Sequence, residues 1–236
     1  MSTIMLALPS KGRLQEQAMA HFAEAGLEIE RPGGARSYQG SMAALPDVVV
    51  RFLSASEIAR ELIRGAIDLG ITGEDLIHES AETGPEQVEI VERLGFGRAD
   101  VVTAVPDAWI DVTDMADLSD VAADFRARHG RWLRVATKYV NLTRRHFSRA
   151  GIAEYRIVES LGATEAAPAS GAADLIVDIT TTGSTLKANG LRVIADGVML
   201  ESEAVLMVSR NADWADDGRR ALRDALLGRL GLGRSD

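Results

Sequence analysis

The chain has 236 residues, a net charge of −9, no cysteine and four histidines (His21, His78, His129, His146). The missing cysteines exclude disulfides, thiolate metal sites and a cysteine nucleophile, and no two histidines have metal-ligand spacing. The negative balance argues against a nucleic-acid binder that relies on a global basic field, though it leaves room for local basic pockets.

A chain of this length buries roughly 70% or more of its unfolded surface, so it folds as one large domain or two small ones without staples. The opening MSTIMLALPSKGRL has too short an apolar stretch for a signal peptide, and no basic lead. No run approaches the roughly 18 apolar residues of a membrane span. The expectation is a soluble, cytoplasmic protein.

Strand-like and helix-like patterns alternate along the chain, which predicts an α/β fold. An apolar run at 3–8 stops at Pro9, and 13–25 has helical spacing ending at Gly26. Segment 47–53 reads as a half-buried strand. Ser54 with Glu57 three residues on forms a capping-box signature for a helix that reaches Gly65. Strands are expected at 67–71, 88–94 and 100–105. Asp107, Asp111, Asp114, Asp117 and Asp120 then form an acidic surface stretch leading into a helix near 118–129. RWLRVATKYVNLTRRHFSRAG reads as strand, loop and a helix capped by Asn141 and closed by Gly151. A strand at 154–158 follows, then the small-residue stretch GATEAAPASGA. The end is read as a strand pair, 191–200 and 204–208, and an amphipathic helix near 214–230.

Two segments echo one another. GAIDLGITG (65–73) and GAADLIVDITTTG (171–183) share Gly-Ala-x-Asp-Leu before an apolar strand and a glycine-bearing turn. The match is short, but it suggests two lobes of similar α/β build with a cleft between them. The crossings are placed near 104–106 and 193–197. That makes 1–104 plus 197–236 the first lobe and 105–196 the second, which carries the phosphate loop.

The chemistry concentrates in DLIVDITTTGSTLKANGL (174–191). Open α/β sheets bind ligands beyond the carboxyl ends of strands, and here a strand end, a small-residue turn and a helix start follow in succession. Backbone N–H groups of 181–185 can converge on one anion, Gly183 permits the turn, and Thr181, Thr182, Ser184 and Thr185 lie in that turn with hydroxyl donors. Asp178 near the mouth can accept from two vicinal hydroxyls, as on a ribose. The alternative is that the threonines cap the helix and backbone groups satisfy Asp178.

A second candidate is LALPSKGRL (6–14). Ser10, Lys11, Gly12 and Arg13 lie between a strand and a helix start, where an anion is favoured and a bare cation is not. Arg51, near the end of DVVVRFL, needs an anionic partner, either a ligand or a structural carboxylate. ITGEDL (71–76) brings Gly73, Glu74 and Asp75 to a turn, where the acids can contact hydroxyls, an amine or a metal-bound water, or cap a helix. Tyr139 can stack on a base or pack in the core. Arg144 and Arg145 can face solvent, a phosphate or an interface.

LALPSKGRL, DLGITGEDL, VATKYVNLTRRHF, DLIVDITTTGSTLKANGL and ESEAVL resemble, in order and spacing, the catalytic core of the ATP phosphoribosyltransferases, from residue 6 to about 206. The resemblance implies a two-lobed fold like the type II periplasmic-binding proteins, with the active site in the inter-lobe cleft. It implies transfer of phosphoribosyl from phosphoribosyl pyrophosphate to N1 of ATP, the first step of histidine biosynthesis, with Mg2+ accompanying the substrates. Lys11, Arg13 and Arg51 would then face pyrophosphate or triphosphate, Asp178 the ribose, and 181–185 the 5′-phosphate. Glu159 and Asp174 are further candidates for ribose or magnesium contacts. The chain stops soon after the last helix, so it looks like the family's short form, which lacks a C-terminal regulatory domain. That form makes dimers and joins a separate regulatory subunit similar to a histidyl-tRNA synthetase. The competing readings are a solute-binding module of the same architecture and a different phosphoribosyltransferase.

Overall fold

The computed structural model describes residues 2–34 and 37–233. The chain divides into two compact units, 1–97 with 203–236, and 98–202. Each has its own sheet and core, so the α/β expectation holds in both.

The first unit contains strands β1 (Ile4–Pro9), β2 (Ile29–Glu30), β3 (Gln39–Met42), β4 (Val48–Leu53), β5 (Leu69–Gly73), β6 (Val88–Arg93) and β12 (Ala204–Ser209). They form one sheet in the order β2-β3-β4-β1-β5-β12-β6. β4, β1 and β5 are parallel, and β12 runs antiparallel to β5. Helices α1 (Gly12–Glu24), α2 (Ala55–Arg64), α3 (Glu74–Ser80) and α7 (Asp217–Arg229) complete the unit. The alternating pattern of β4 buries Val48, Val50 and Phe52 against Leu6, Leu8 and Phe22. Each such side chain contributes about 1.5–3 kcal/mol.

The second unit contains β7 (Ala99–Pro106), α4 (Met115–His129), β8 (Leu133–Thr137), α5 (Val140–Arg149), β9 (Tyr155–Glu159), β10 (Leu175–Thr180), α6 (Ser184–Ala188) and β11 (Leu191–Ser202). Its sheet order is β11-β7-β10-β8-β9. β9, β8 and β10 are parallel and β7 is antiparallel to β10. The run β9-β8-β10-β7 therefore repeats, in order and direction, the run β4-β1-β5-β12 of the first sheet.

The sequence echo lies on this repeat and has a local cause. Gly65 (φ 73°) and Gly171 (φ 74°) both turn the chain in the left-handed region. In each unit an aspartate then starts the strand. Asp68 N–H donates to Met5 O at 3.1 Å, and Met5 N–H returns to Asp68 Oδ2 at 2.7 Å. Asp174 N–H donates to Arg134 O at 2.9 Å, and Arg134 N–H returns to Asp174 Oδ2 at 2.8 Å. Each carboxylate also meets arginine: Arg219 at Asp68, Arg131 and Arg134 at Asp174. The shared motif clamps the start of a strand to its parallel neighbour.

Four expectations change. The chain crosses between units at 97/98 and 202/203, outside the expected 104–106 and 193–197, because β7 and β11 pair with each other along their lengths within the second sheet. Consequently β11 and β12 belong to different sheets and do not pair. Helix α5 is capped at Tyr139, with Asn141 inside it. The short strands β2, at the sheet edge, and β3, between β2 and β4, add to the expected set, since they lack the apolar pattern that marks the others. The Ser54 half of the capping box forms: Ser54 Oγ accepts from Glu57 N–H at 3.3 Å, and Gly65 closes the helix.

Candidate active site

In both sheets most of the candidate residues lie toward the carboxyl ends of the parallel strands. In the second unit, register places Thr137 opposite both Val177 and Glu159. A cavity of about 340 Å³ opens at this edge, lined by Glu165, Asp178, Ile179, the turn residues Thr180, Thr181, Thr182, Ser184 and Thr185, and Leu186. All of these belong to one unit, so the cavity is complete within 98–202.

Hydroxyls preorganise the turn. Thr180 Oγ1 accepts from Gly183 N–H at 2.9 Å, and Thr182 Oγ1 accepts from Ser184 N–H at 3.4 Å. Thr182 Oγ1 and Ser184 Oγ share a further bond at 2.9 Å. Gly183 has φ 69°, where a side chain would be strained. The expectation that all N–H groups of 181–185 await an anion is thereby narrowed: two of them are already held by threonine side chains. Asp178 Oδ1 accepts its neighbour Ile179 N–H at 2.8 Å and lies 3.8 Å from Lys138 Nζ. Glu159 is exposed at the end of β9 and is not among the cavity-lining residues.

Two sequence candidates leave the site. Asp174 lies at the opposite end of β10, held by Arg131 at 2.7 and 2.9 Å and by Arg134. Burial raises the pKa of its carboxyl. The hydrogen bonds from both guanidiniums and from Arg134 N–H outweigh that and hold it well below the ordinary carboxylate range. It is a strand clamp. Tyr139 is 2% exposed in the core beside Leu142 and Phe147, with Lys138 Nζ 5.1 Å over its ring, so it has no open face for a base.

In the first unit, Ser10 N–H donates to Leu53 O at 2.8 Å, which ties the ends of β1 and β4 together. Lys11 caps α1 without a side-chain hydrogen bond, and no acid stands in the first turn. Gly12 makes the turn with φ 76°. Lys11 and Arg13 are exposed and form no ion pair among the described residues. Arg51 likewise has no carboxylate partner there, and its Nε is buried without a hydrogen bond. An unsatisfied buried donor costs about 1–3 kcal/mol. The structural carboxylate considered for Arg51 is therefore absent among the described residues.

The ITGEDL acids are engaged locally. Glu74 pairs with Arg93 at 2.7 and 3.0 Å, and Arg93 also reaches Glu203 at 3.5 Å. Asp75 is 5% exposed, and its Oδ1 stands where it would crowd a Cβ on Gly73. A larger residue at 73 would make that carboxylate swing aside. Sequence reasoning missed Lys138, Thr180 and Glu165. The first was findable: Lys138 follows β8 as Ser10 and Lys11 follow β1, immediately before a helix.

A larger depression, about 460 Å³, lies beside Trp109, Ile110 and Phe125. Its lining sets Asp111, Asp120 and Asp124 against Arg128 and His129, with Arg128 paired to Asp124. Among the described residues no group of three or more His, Asp or Glu could hold a metal ion, and no helix is long and apolar enough to cross a membrane.

The paired sheets with their candidate residues at strand ends define a two-unit α/β binding fold of the periplasmic-binding-protein kind. The substrate-binding protein of an amino acid ABC transporter superposes with TM-score 0.52 and 11% identity, covering 98% of this chain and 92% of that one, a likeness of fold alone. An ATP phosphoribosyl transferase in a HisG:HisZ complex from Thermotoga maritima superposes with TM-score 0.74 and 26% identity, covering 97% of this chain and 96% of that one. The family model described as HisG: ATP phosphoribosyltransferase matches residues 54–230. ATP phosphoribosyltransferases of Rhodopseudomonas palustris (strain BisA53) and Bradyrhizobium sp. (strain ORS 278) are 61% and 58% identical over 93% of the chain. The chain spans 67% and 68% of their lengths. It belongs to the ATP phosphoribosyltransferase family.

Proposed function

We propose that this chain carries the family's reaction, joining N1 of ATP to C1 of phosphoribosyl pyrophosphate and expelling pyrophosphate, with its binding determinants distributed over the two sheet edges. The observation that carries the reading is the cavity where Asp178 and the hydroxyl-braced turn share one wall. The turn takes the 5′-phosphate and Asp178 accepts from the ribose hydroxyls. Lys11, Arg13 and Arg51, cations without carboxylate partners among the described residues, take pyrophosphate or the triphosphate of ATP.

N1 attacks through a lone pair and carries no proton, so no strong general base is needed. The barrier lies in bond breaking at C1, where positive charge develops on the sugar and negative charge on the departing pyrophosphate. Fixed cations at the leaving group lower that barrier most. Mg2+ would accompany the substrate phosphates as their counter-ion and would offset the charge that develops on the leaving group. The cytoplasm is the proposed location.

The HisG:HisZ assembly of the Thermotoga maritima relative supports extending the same arrangement here. The chain forms a homodimer that joins a regulatory subunit similar to a histidyl-tRNA synthetase. Mixing the purified protein with ATP, phosphoribosyl pyrophosphate and Mg2+ tests the activity. Formation of an ultraviolet-absorbing adduct together with pyrophosphate is expected, and pyrophosphate release without the adduct would refute ATP as acceptor.

A further inference from the structure

Phosphoribosyl pyrophosphate carries phosphate at both ends, so a turn that merely attracts anions would also hold it backwards. The cavity wall contains the features that separate the two ends. Glu165 lines it with Asp178 and the turn, and Glu165 makes no ion pair or side-chain hydrogen bond among the described residues. Its placement is enforced. Ala163, two residues before it, is the one non-glycine residue among those described with positive φ, at 49°. That conformation is costly for a residue with a Cβ, and the surroundings hold it. Thr164 is 3% exposed and donates to Ser160 Oγ at 3.0 Å, while Ser160 N–H donates to Thr137 O at 3.0 Å. The turn bearing Glu165 is thus fastened to the end of β8.

Resting on the phosphate-cavity reading above, we propose that Glu165 is a specificity-determining residue. Together with Asp178 it admits a phosphate to the turn only when sugar hydroxyls accompany it, and it turns away simple phosphate and the pyrophosphate end. A carboxylate beside a bound phosphate is repulsive, and the same carboxylate accepting from a hydroxyl is attractive. Two carboxylates facing one anion-binding turn therefore discriminate by what is attached to the phosphate.

Calorimetric titration of the full chain with ribose 5-phosphate, inorganic phosphate and inorganic pyrophosphate, for wild type, Glu165→Gln and Glu165→Asp, tests this without relying on turnover. In wild type ribose 5-phosphate binds tightest. In Glu165→Gln its affinity falls about tenfold, the effect of one lost charge-assisted hydrogen bond, while phosphate and pyrophosphate hold or gain. Glu165→Asp, which keeps the charge, retains the rejection of pyrophosphate. If all three ligands weaken together, or none changes, the selectivity role is wrong and the cavity reading stands. Failure of ribose 5-phosphate to bind wild type would overturn both.

Discussion

Asp178 stands one residue past the last β10–β8 pair and still opposite Val102 of β7, 17% exposed and 3.8 Å from a Lys138 side chain that is 43% exposed. Such a solvated pair is worth about 0–1 kcal/mol to folding, so Asp178→Asn should leave the melting temperature nearly unchanged. On the proposed reading, the same change removes a charge-assisted acceptor for ribose hydroxyls. A fall of about ten- to hundredfold in kcat/KM for phosphoribosyl pyrophosphate is expected from steady-state kinetics. Unchanged turnover would take Asp178 out of the site. Lys11 offers the reverse signature. A cation at the N-terminus of α1 opposes the helix dipole, so Lys11→Ala should stabilise the protein by about 0.3–1 kcal/mol. It should also slow the forward reaction and weaken inhibition by pyrophosphate. A variant that melts higher and keeps full activity would make Lys11 a bystander.

At the scale of elements, the two strand-start clamps behave as structure. Asp174 has a folded-state pKa held below that of the unfolded chain, so its contribution is present above about pH 4 and is lost as pH falls. Asp174→Asn should flatten that part of the stability-versus-pH curve, measured by urea unfolding between pH 7 and pH 3, while kcat at neutral pH stays near wild type. A large loss of kcat with normal stability would return Asp174 to the site. The hydroxyl-braced turn proposed for the 5′-phosphate shows the opposite balance. Gly183→Ala places a Cβ at φ 69°, at a cost of about 1–2 kcal/mol. Because Gly183 N–H is held by Thr180, the strain should spread into the turn and raise KM for phosphoribosyl pyrophosphate while KM for ATP moves little.

At the scale of the molecule, the second unit is one uninterrupted stretch whose two ends meet, Ala99 pairing with Ser202 in register. It holds its own core, built around Leu133, Val135, Phe147 and Leu175. A fragment of 98–202 is therefore expected to fold alone with a cooperative thermal transition and to bind ribose 5-phosphate, yet catalyse nothing without Lys11, Arg13 and Arg51. An unfolded fragment in circular dichroism would show that its core depends on the other unit.

The sequence by itself determined the alternation of strands and helices, the α2 cap at Ser54, the turn at Gly183 and the candidate acid Asp178, because each depends on neighbours within a few residues. It also marked the Gly-Ala-x-Asp-Leu echo but left its purpose open. Only the tertiary structure decided that Asp174 belongs to two arginines some 40 residues away, that Glu74 belongs to Arg93, that Tyr139 is core, and that Glu165 lines one cavity with the hydroxyl-braced turn. β11 and β12 are adjacent in the chain and part into different sheets for the same reason. Partners in a sheet are chosen by register and burial across long sequence separations, and a carboxylate's role follows from which end of its strand the neighbouring strands present to it.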